Sequence, residues 1–308
     1  MEIQQTVSKN WPGRHLLTAR GVGREGIEEI LDEAVLMERI ARGRSSELEG
    51  KVLATLFYEP STRTQFSFQT AMLRLGGQVI GFSGTSGSSV AKGETLHDTI
   101  KLVQACADAI VLRHPKEGSA RLAAEASRVP VINAGDGANQ HPTQALLDLY
   151  TIRKELGKID GLSVLFVGDL KYGRTVHSLA QMLCNYEVEL LFHSPPGLRM
   201  ASSLMGELRN EVKVRELDSL DLGAADVVYA TRIQKERFAD LSEYAKYSYE
   251  INSDSLKQMR KNALLLHPLP RVNEINPSVD ADDRAAYFRQ EANGIPARMA
   301  LLKKILVG

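Results

Sequence analysis

The stretch Phe57-Tyr58-Glu59-Pro60-Ser61-Thr62-Arg63-Thr64 decides how this chain is read. It follows an apolar run, Lys51-Val52-Leu53-Ala54-Thr55-Leu56-Phe57, that reads as a buried strand. It precedes Gln65 to Leu75, which reads as an amphipathic helix with Phe66, Phe68, Met72 and Leu73 for the core. Ser61 or Thr62 is placed to cap that helix. A strand that breaks into Ser-Thr-Arg-Thr at a helix start brings free backbone N–H groups, hydroxyls and a guanidinium together. Such a place suits a phosphate.

Outward from this stretch the pattern alternates. Strands are expected at 51–57, 78–82, 108–112 and 131–133, with helices at 62–75, 94–105 and 118–127 between them. A helix over 142–156 opens with Pro142 at the favoured first position. A second block repeats the logic, with strands at 162–167, 187–192, 212–216, 226–230 and 263–266. Its helices are expected from Gly173 and over 198–209. A final helix over 293–306 reads as amphipathic through Ile295, Met299, Leu302 and Ile305, and is placed to pack back onto the first block. The fold class is therefore α/β: two doubly wound parallel-sheet domains with helices on both faces, and the active site between them. Near the N-terminus, Gly21-Val22-Gly23-Arg24-Glu25-Gly26 formally matches the dinucleotide fingerprint. It lacks the firm preceding strand that a fingerprint needs and reads as the start of a helix over 27–41, with Ile27, Ile30, Leu31, Ala34, Leu36 and Met37 inward.

Bulk properties narrow the function. Lys+Arg and Asp+Glu balance at 38 each in 308 residues, so no global basic field favours nucleic acid. No apolar run approaches the roughly 18 residues of a membrane span. Residues 1–11 lack the apolar centre of a signal peptide. The two cysteines, Cys106 and Cys184, have no CxxC partner and read as ordinary buried thiols. A cytoplasmic enzyme is the expectation.

In open α/β sheets the ligand lies beyond the carboxyl ends of the strands. Ser61, Thr62, Arg63 and Thr64 follow the strand at 51–57, and Arg113-His114-Pro115 follows 108–112. His141-Pro142-Thr143-Gln144 follows 131–133 by way of a Gly-Asp-Gly turn. In the second block, Gly168 to Arg174, Thr231-Arg232-Ile233-Gln234-Lys235 and His267-Pro268-Leu269-Pro270-Arg271 hold the equivalent places. Each carries a cation, a histidine or a hydroxyl, and carboxylates are scarce, Glu59 and Asp169 being the exceptions. A cleft so lined binds a poly-anion. HExxH, GxxxxGK[ST] and GxSxG are absent, so neither a metal, a cofactor nor a covalent intermediate is expected. What remains is positioning and electrostatic stabilisation of a charged transition state.

Together these motifs resemble the aspartate carbamoyltransferase catalytic chains of the aspartate/ornithine carbamoyltransferase superfamily, over nearly the whole length from about His15. His267-Pro268-Leu269-Pro270 stands where an ornithine enzyme shows His-Cys-Leu-Pro, and no Ser-Met-Gly loop is present. The resemblance implies a carbamoyl-phosphate-binding domain of residues 1–141 plus 293–308, a bridging helix 142–156, and an aspartate-binding domain 157–292. It implies carbamoyl phosphate and L-aspartate as substrates of an early pyrimidine step. Phosphate would sit on Ser61, Thr62, Arg63 and Thr64 beside Arg113. Thr64, Arg113 and His141 would polarise the carbamoyl oxygen, and Gln144 would hold the carbamoyl amide. Arg174, Arg232 and Gln234, with Lys92, would grip the carboxylates of aspartate. Pro268 and Leu269 would offer carbonyls to the amines. Ser88 and Lys92 match positions that reach a neighbouring subunit's site, which implies a homotrimer with shared sites and leaves room for separate regulatory chains. The chain departs from the common pattern at Gln65, Gln69, Ala91 and Asn273. The first pair reads as an exchanged contact on the helix surface.

Overall fold

The computed structural model describes residues 11, 13–87, 89–233 and 249–308. They divide into two compact units. The first runs to Tyr150 and takes back Asn293–Gly308; the second is Thr151–Ala292. Among the described residues no helix is long and apolar enough to cross a membrane.

The first unit contains α1 (Gly23–Ile40), β1 (Val52–Phe57), α2 (Thr62–Arg74), β2 (Gln78–Ser83), α3 (Leu96–Val103), β3 (Ala109–His114), α4 (Ser119–Ala126) and β4 (Val131–Asp136). α5 (Pro142–Leu156) begins in it and runs on past Tyr150. The four strands are parallel in the order β2-β1-β3-β4. The apolar runs of β1 and β3 are explained by their central places: Ala54, Leu56, Ile110 and Leu112 join Ala123 and Val131 in one buried cluster. Edge strand β2 is largely exposed or half-buried along its length.

Several helical expectations need correction. Gly23 opens α1, so Gly21–Gly26 is a helix start. Ile27, Ile30, Leu31, Ala34 and Met37 are buried, but Leu36 lies off that stripe and is exposed. In α2, Phe68, Ala71 and Met72 face the core, whereas Phe66 and Leu73 are 60% and 55% exposed. Residues seven apart share a helix face, and that face lies opposite the one Phe68 and Met72 occupy. Gln69 is no surface contact either: its Nε2 donates to Thr55 Oγ1 on β1 at 3.2 Å. The C-terminal helix, Gly294–Leu306, is buried on nearly every side because it lies between α1 and α2, while Ile295 is only half-buried. It therefore has no polar face to make it amphipathic. It even buries Arg298, whose Nη1 donates to Ser67 Oγ at 2.8 Å while the guanidinium lies 5.2 Å from the Phe68 ring centroid. Cys106 is exposed in the turn after α3, and Cys184 is half-buried.

The second unit contains β5 (Ser163–Val167), α6 (Arg174–Leu183), β6 (Glu189–His193), α7 (Ser202–Arg209), β7 (Lys213–Glu216), β8 (Val227–Ala230), α8 (Ser253–Leu256), β9 (Leu264–Leu266) and α9 (Tyr287–Ala292). Its five strands are parallel in the order β7-β6-β5-β8-β9. Leu165, Val167, Val228, Ala230 and Leu265 carry the core from strand to strand.

Each sheet reverses its winding once. In the first, the chain passes from β1 outward to β2, then returns to lay β3 on the other side of β1. In the second, it passes from β5 through β6 to β7, then returns to lay β8 beside β5. The connections beyond the strand ends diverge at such a switch point and leave a crevice there.

Candidate active site

The β1/β3 switch point gathers the phosphate-binding candidates. Ser61 occupies the N-cap position of α2, but its side chain makes no capping hydrogen bond, contrary to the expectation. The hydroxyl is thus not spent on the helix whose N-terminus it precedes. Thr62 and Arg63 are exposed in the first turn, and Thr64 is buried. On the neighbouring strand, Arg113 pairs in register with Phe57, and its carbonyl accepts from Tyr58 N–H at 2.9 Å. Its guanidinium is fixed at two points: Nε donates to Glu59 Oε1 at 2.8 Å, and Nη1 reaches the Ala134 carbonyl at 3.4 Å. Glu59 therefore orients a cation.

β4 delivers the next pair. It ends at Asp136, a buried carboxylate that organises the turn to α5. Asp136 Oδ1 accepts from Gln140 N–H at 3.1 Å and Asn133 Nδ2 at 2.9 Å; Oδ2 accepts from Gly118 N–H and Asn139 Nδ2, both at 3.0 Å. That turn sets His141, buried, directly before the first turn of α5. Thr143 Oγ1 lies 3.5 Å from His141 Nδ1. A hydroxyl donating there leaves the ring proton on Nε2, the form in which that nitrogen donates. One turn further, Gln144 Nε2 donates to Asp148 Oδ1 at 2.9 Å, both residues being buried. An acceptor-only carboxylate takes the amide NH2 side, which sets the opposite side of Gln144 as its carbonyl oxygen.

The second unit repeats the arrangement at the β5/β8 switch point. After β5 come Gly168 and Asp169. The Asp169 carboxylate accepts from the backbone N–H groups of Lys171 at 3.2 Å and Tyr172 at 2.9 Å. This shapes the loop from which Arg174 emerges as the first residue of α6. After β8 come buried Thr231 and half-buried Arg232. Beyond β9, the next strand out, lie half-buried Pro268 and Leu269. Leu269 has φ +46, an unusual conformation for a branched side chain. A buried relay supports it. Leu269 N–H donates to His267 Nδ1 at 2.8 Å, and His267 Nε2 lies 2.8 Å from Glu274 Oε1. Nδ1 must carry a lone pair to accept, so Nε2 carries the proton given to Glu274. Burial works against ionisation of Glu274, but hydrogen bonds from His267 and from backbone N–H groups outweigh it and hold the carboxyl below its ordinary range.

Lys92 ends an exposed single turn of 3-10 helix, Ser89–Lys92, after edge strand β2. Ser88 and Gln234 lie outside the described residues. The structure thus brings Ser61–Thr64, Arg113, His141 and Gln144 to successive strand ends of one sheet. It brings Arg174, Arg232, Pro268 and Leu269 to successive strand ends of the other. Among the described residues no three His, Cys, Asp or Glu side chains are grouped to hold a metal ion. Sequence reasoning missed Asp148, Asp136 and Glu274. Asp148 was within reach, four residues after Gln144 on one helix face. Asp136 and Glu274 serve irregular turns, where no period signals a contact.

The comparisons with known proteins agree with this geometry. Residues 14–154 match the aspartate/ornithine carbamoyltransferase, carbamoyl-P binding domain, family, and residues 160–305 match the aspartate/ornithine carbamoyltransferase, Asp/Orn binding domain, family. The aspartate carbamoyltransferase catalytic subunit of Methanococcus vannielii is 54% identical over 294 residues, 94% of this chain and 97% of the relative. That of Thermococcus kodakarensis is 55% identical over 300 residues, 95% of this chain and 97% of the relative. The solved catalytic subunit of M. jannaschii aspartate transcarbamoylase is similar with a TM-score of 0.89 at 54% identity, covering 95% of this chain and 98% of that one. Aspartate transcarbamoylase from Trypanosoma cruzi, solved with carbamoyl phosphate and aspartate, reaches a TM-score of 0.92 at 38% identity, covering 96% and 98%. Two sheets with arginines at their switch points, matched along nearly the whole chain, leave one assignment: the chain belongs to the aspartate/ornithine carbamoyltransferase family, among its aspartate carbamoyltransferase catalytic chains.

Proposed function

We infer that this chain transfers the carbamoyl group of carbamoyl phosphate to the α-amine of L-aspartate, giving N-carbamoyl-L-aspartate and phosphate. The observation that carries the reading is the pairing of arginines at both switch points: Arg63 with Arg113, and Arg174 with Arg232. One unit takes carbamoyl phosphate and the other takes the dicarboxylate.

The phosphate lies on Ser61, Thr62, Arg63 and Thr64, at the start of α2, with Arg113 beside it. The neutral amine attacks the carbamoyl carbon; a C–N bond forms and the bond to the phosphate oxygen breaks. Negative charge builds on the carbonyl oxygen, where Thr64, Arg113 and His141 donate. A fixed donor of this kind is worth about 3–4 kcal/mol in the transition state. The departing phosphate takes the amine proton, so no protein base is needed. His141 is the donor at Nε2, and the Gln144 carbonyl receives the carbamoyl NH2. Arg174 and Arg232, with Gln234 and Lys92, hold the two carboxylates, while the Pro268 and Leu269 carbonyls accept from the amines. Lys92 and Ser88 belong to the neighbouring subunit's site in a homotrimer, a reading supported by the placement of Lys92 on an exposed turn.

Colorimetric detection of the ureido product, with aspartate and ornithine offered separately, tests the reaction. Product is expected with aspartate alone. Product with ornithine, or none with either amine, overturns it.

A further inference from the structure

Tyr249 lies at the β5/β8 switch point and has no part in this mechanism. The Tyr249 hydroxyl lies among three backbone groups. It accepts from Thr231 N–H at 3.1 Å, and it lies 2.7 Å from the Thr231 carbonyl and 3.3 Å from the Val167 carbonyl, to one of which it donates. The same strand ends are tied directly: Thr231 N–H and Thr231 Oγ1 both donate to the Val167 carbonyl, at 2.9 and 3.1 Å. Gly168 permits this closeness. It has φ +114, and a Cβ there would come within 2.3 Å of the Thr231 carbonyl oxygen and 3.1 Å of the Tyr249 hydroxyl. The tyrosine ring packs against the core of the second unit. Burial pushes its phenol well above the ordinary value, so it stays protonated and both donates and accepts.

Arg232 directly follows Thr231. On the other side, Gly168 leads through Asp169, whose carboxylate stiffens the loop by two backbone hydrogen bonds, to Arg174. We propose that Tyr249 is a positioning residue that sets the spacing between Arg232 and Arg174, and with it the length of dicarboxylate the enzyme accepts. The proposal rests on the reading of those two arginines as the carboxylate grips. A dicarboxylate is recognised by the distance between its anionic ends. Aspartate and glutamate differ there by one methylene, a difference that a fitted site turns into about 10- to 200-fold discrimination. If the spacing slackens, affinity and discrimination fall together, while the chemistry at the carbamoyl carbon does not change.

The test is Tyr249→Phe in the full-length protein, which keeps the ring and removes the hydroxyl. Aspartate KM is expected to rise about five- to tenfold, the worth of one buried hydrogen bond, with kcat and carbamoyl phosphate KM nearly unchanged. Selectivity for aspartate over glutamate should fall by a similar factor. Inhibition by succinate, which has both carboxylates and no amine, should weaken in parallel. A tyrosine that only stabilised the fold would lower the melting temperature and leave these ratios alone. Gly168→Ala, which sets a methyl against both the Thr231 carbonyl and the Tyr249 hydroxyl at a strained φ, disturbs the same strand ends; it should give the same signature and serves as the second variant. Arg174→Ala and Arg232→Ala separate the two layers. If they weaken succinate and folded Tyr249→Phe does not, the positioning role is refuted alone, whatever Gly168→Ala does. If none of the four does, the carboxylate grips were misassigned and the proposal falls with them.

Discussion

Replacing Glu274 with glutamine keeps the shape of a buried side chain and removes one of its acceptors. Glu274 accepts a hydrogen bond from His267 Nε2–H at 2.8 Å and from the backbone N–H groups of Val272, at 3.3 and 3.2 Å to its two oxygens, and of Asn273 at 3.1 Å. His267 cannot turn its proton away, because Nδ1 accepts Leu269 N–H at 2.8 Å. A glutamine has one acceptor oxygen. However its amide is turned, the NH2 meets either the imidazole N–H or the two backbone N–H groups. One donor loses its acceptor, the buried imidazole N–H in one orientation or a backbone N–H of the exposed Val272–Asn273 turn in the other, which costs about 1–3 kcal/mol, and a charge-assisted bond becomes a neutral one. Glu274→Gln should therefore destabilise the protein by about 2–3 kcal/mol, which at this size lowers Tm by several degrees. Urea titration followed by circular dichroism reads the first quantity directly. The same relay holds Leu269 at φ +46, so kcat/KM for aspartate should fall as well. The pH dependence has a definite sign. Glu274 is held below its ordinary range, so its contribution is complete above that range and is lost as pH falls through the lower folded value. The gap between wild type and Glu274→Gln should therefore close in acid. A change below about 0.5 kcal/mol, the size of an ordinary surface substitution, with unaltered kinetics, would refute this reasoning.

Asp148→Asn removes the group that fixes the Gln144 amide; carbamoyl phosphate KM should rise and aspartate KM should not, as steady-state kinetics with each substrate varied will tell. Arg63→Ala should lower turnover by about 100-fold or more while circular dichroism stays unchanged, since it withdraws a cation from the leaving phosphate. The Asp282 carboxyl is held down to about 2 by Arg284, so its stabilisation is present above pH 4 and drains away as pH falls toward that value; acid titration of Asp282→Asn should lack this component. Mixing inactive Lys92→Ala and His141→Ala chains should restore activity through hybrid trimers, and no recovery after verified subunit exchange would count against shared sites.

Much of this molecule is legible in its sequence. The alternation of β1, α2, β3 and β5 is strong because central parallel strands are buried on both faces and read as unbroken apolar runs. Ser61–Thr64, Arg113 and Arg232 are legible for a related reason, since polar residues at strand ends stand out against those runs. Which face a helix buries is less legible. Phe66, Leu73 and Leu36 are as apolar as Phe68 and Met37, and only packing separates them. The C-terminal helix shows the opposite case, where neighbours on two sides bury residues that a single stripe would leave exposed. Glu274, Asp136 and Tyr249 are not legible, because each acts across an irregular loop on backbone groups. Gly168 carries half of that information, but its reason emerges only beside Thr231.

Arg63 and Arg232 come from two separate switch points, and the proposed reaction needs both. Calorimetric binding of N-(phosphonacetyl)-L-aspartate, which joins a phosphonate to the aspartate skeleton, tests it on wild type, Arg63→Ala and Arg232→Ala. Tight binding by the wild type is predicted, with a loss of about 100-fold or more in each variant, the cost of leaving a charged group without its partner. Undiminished binding in either variant would contradict it.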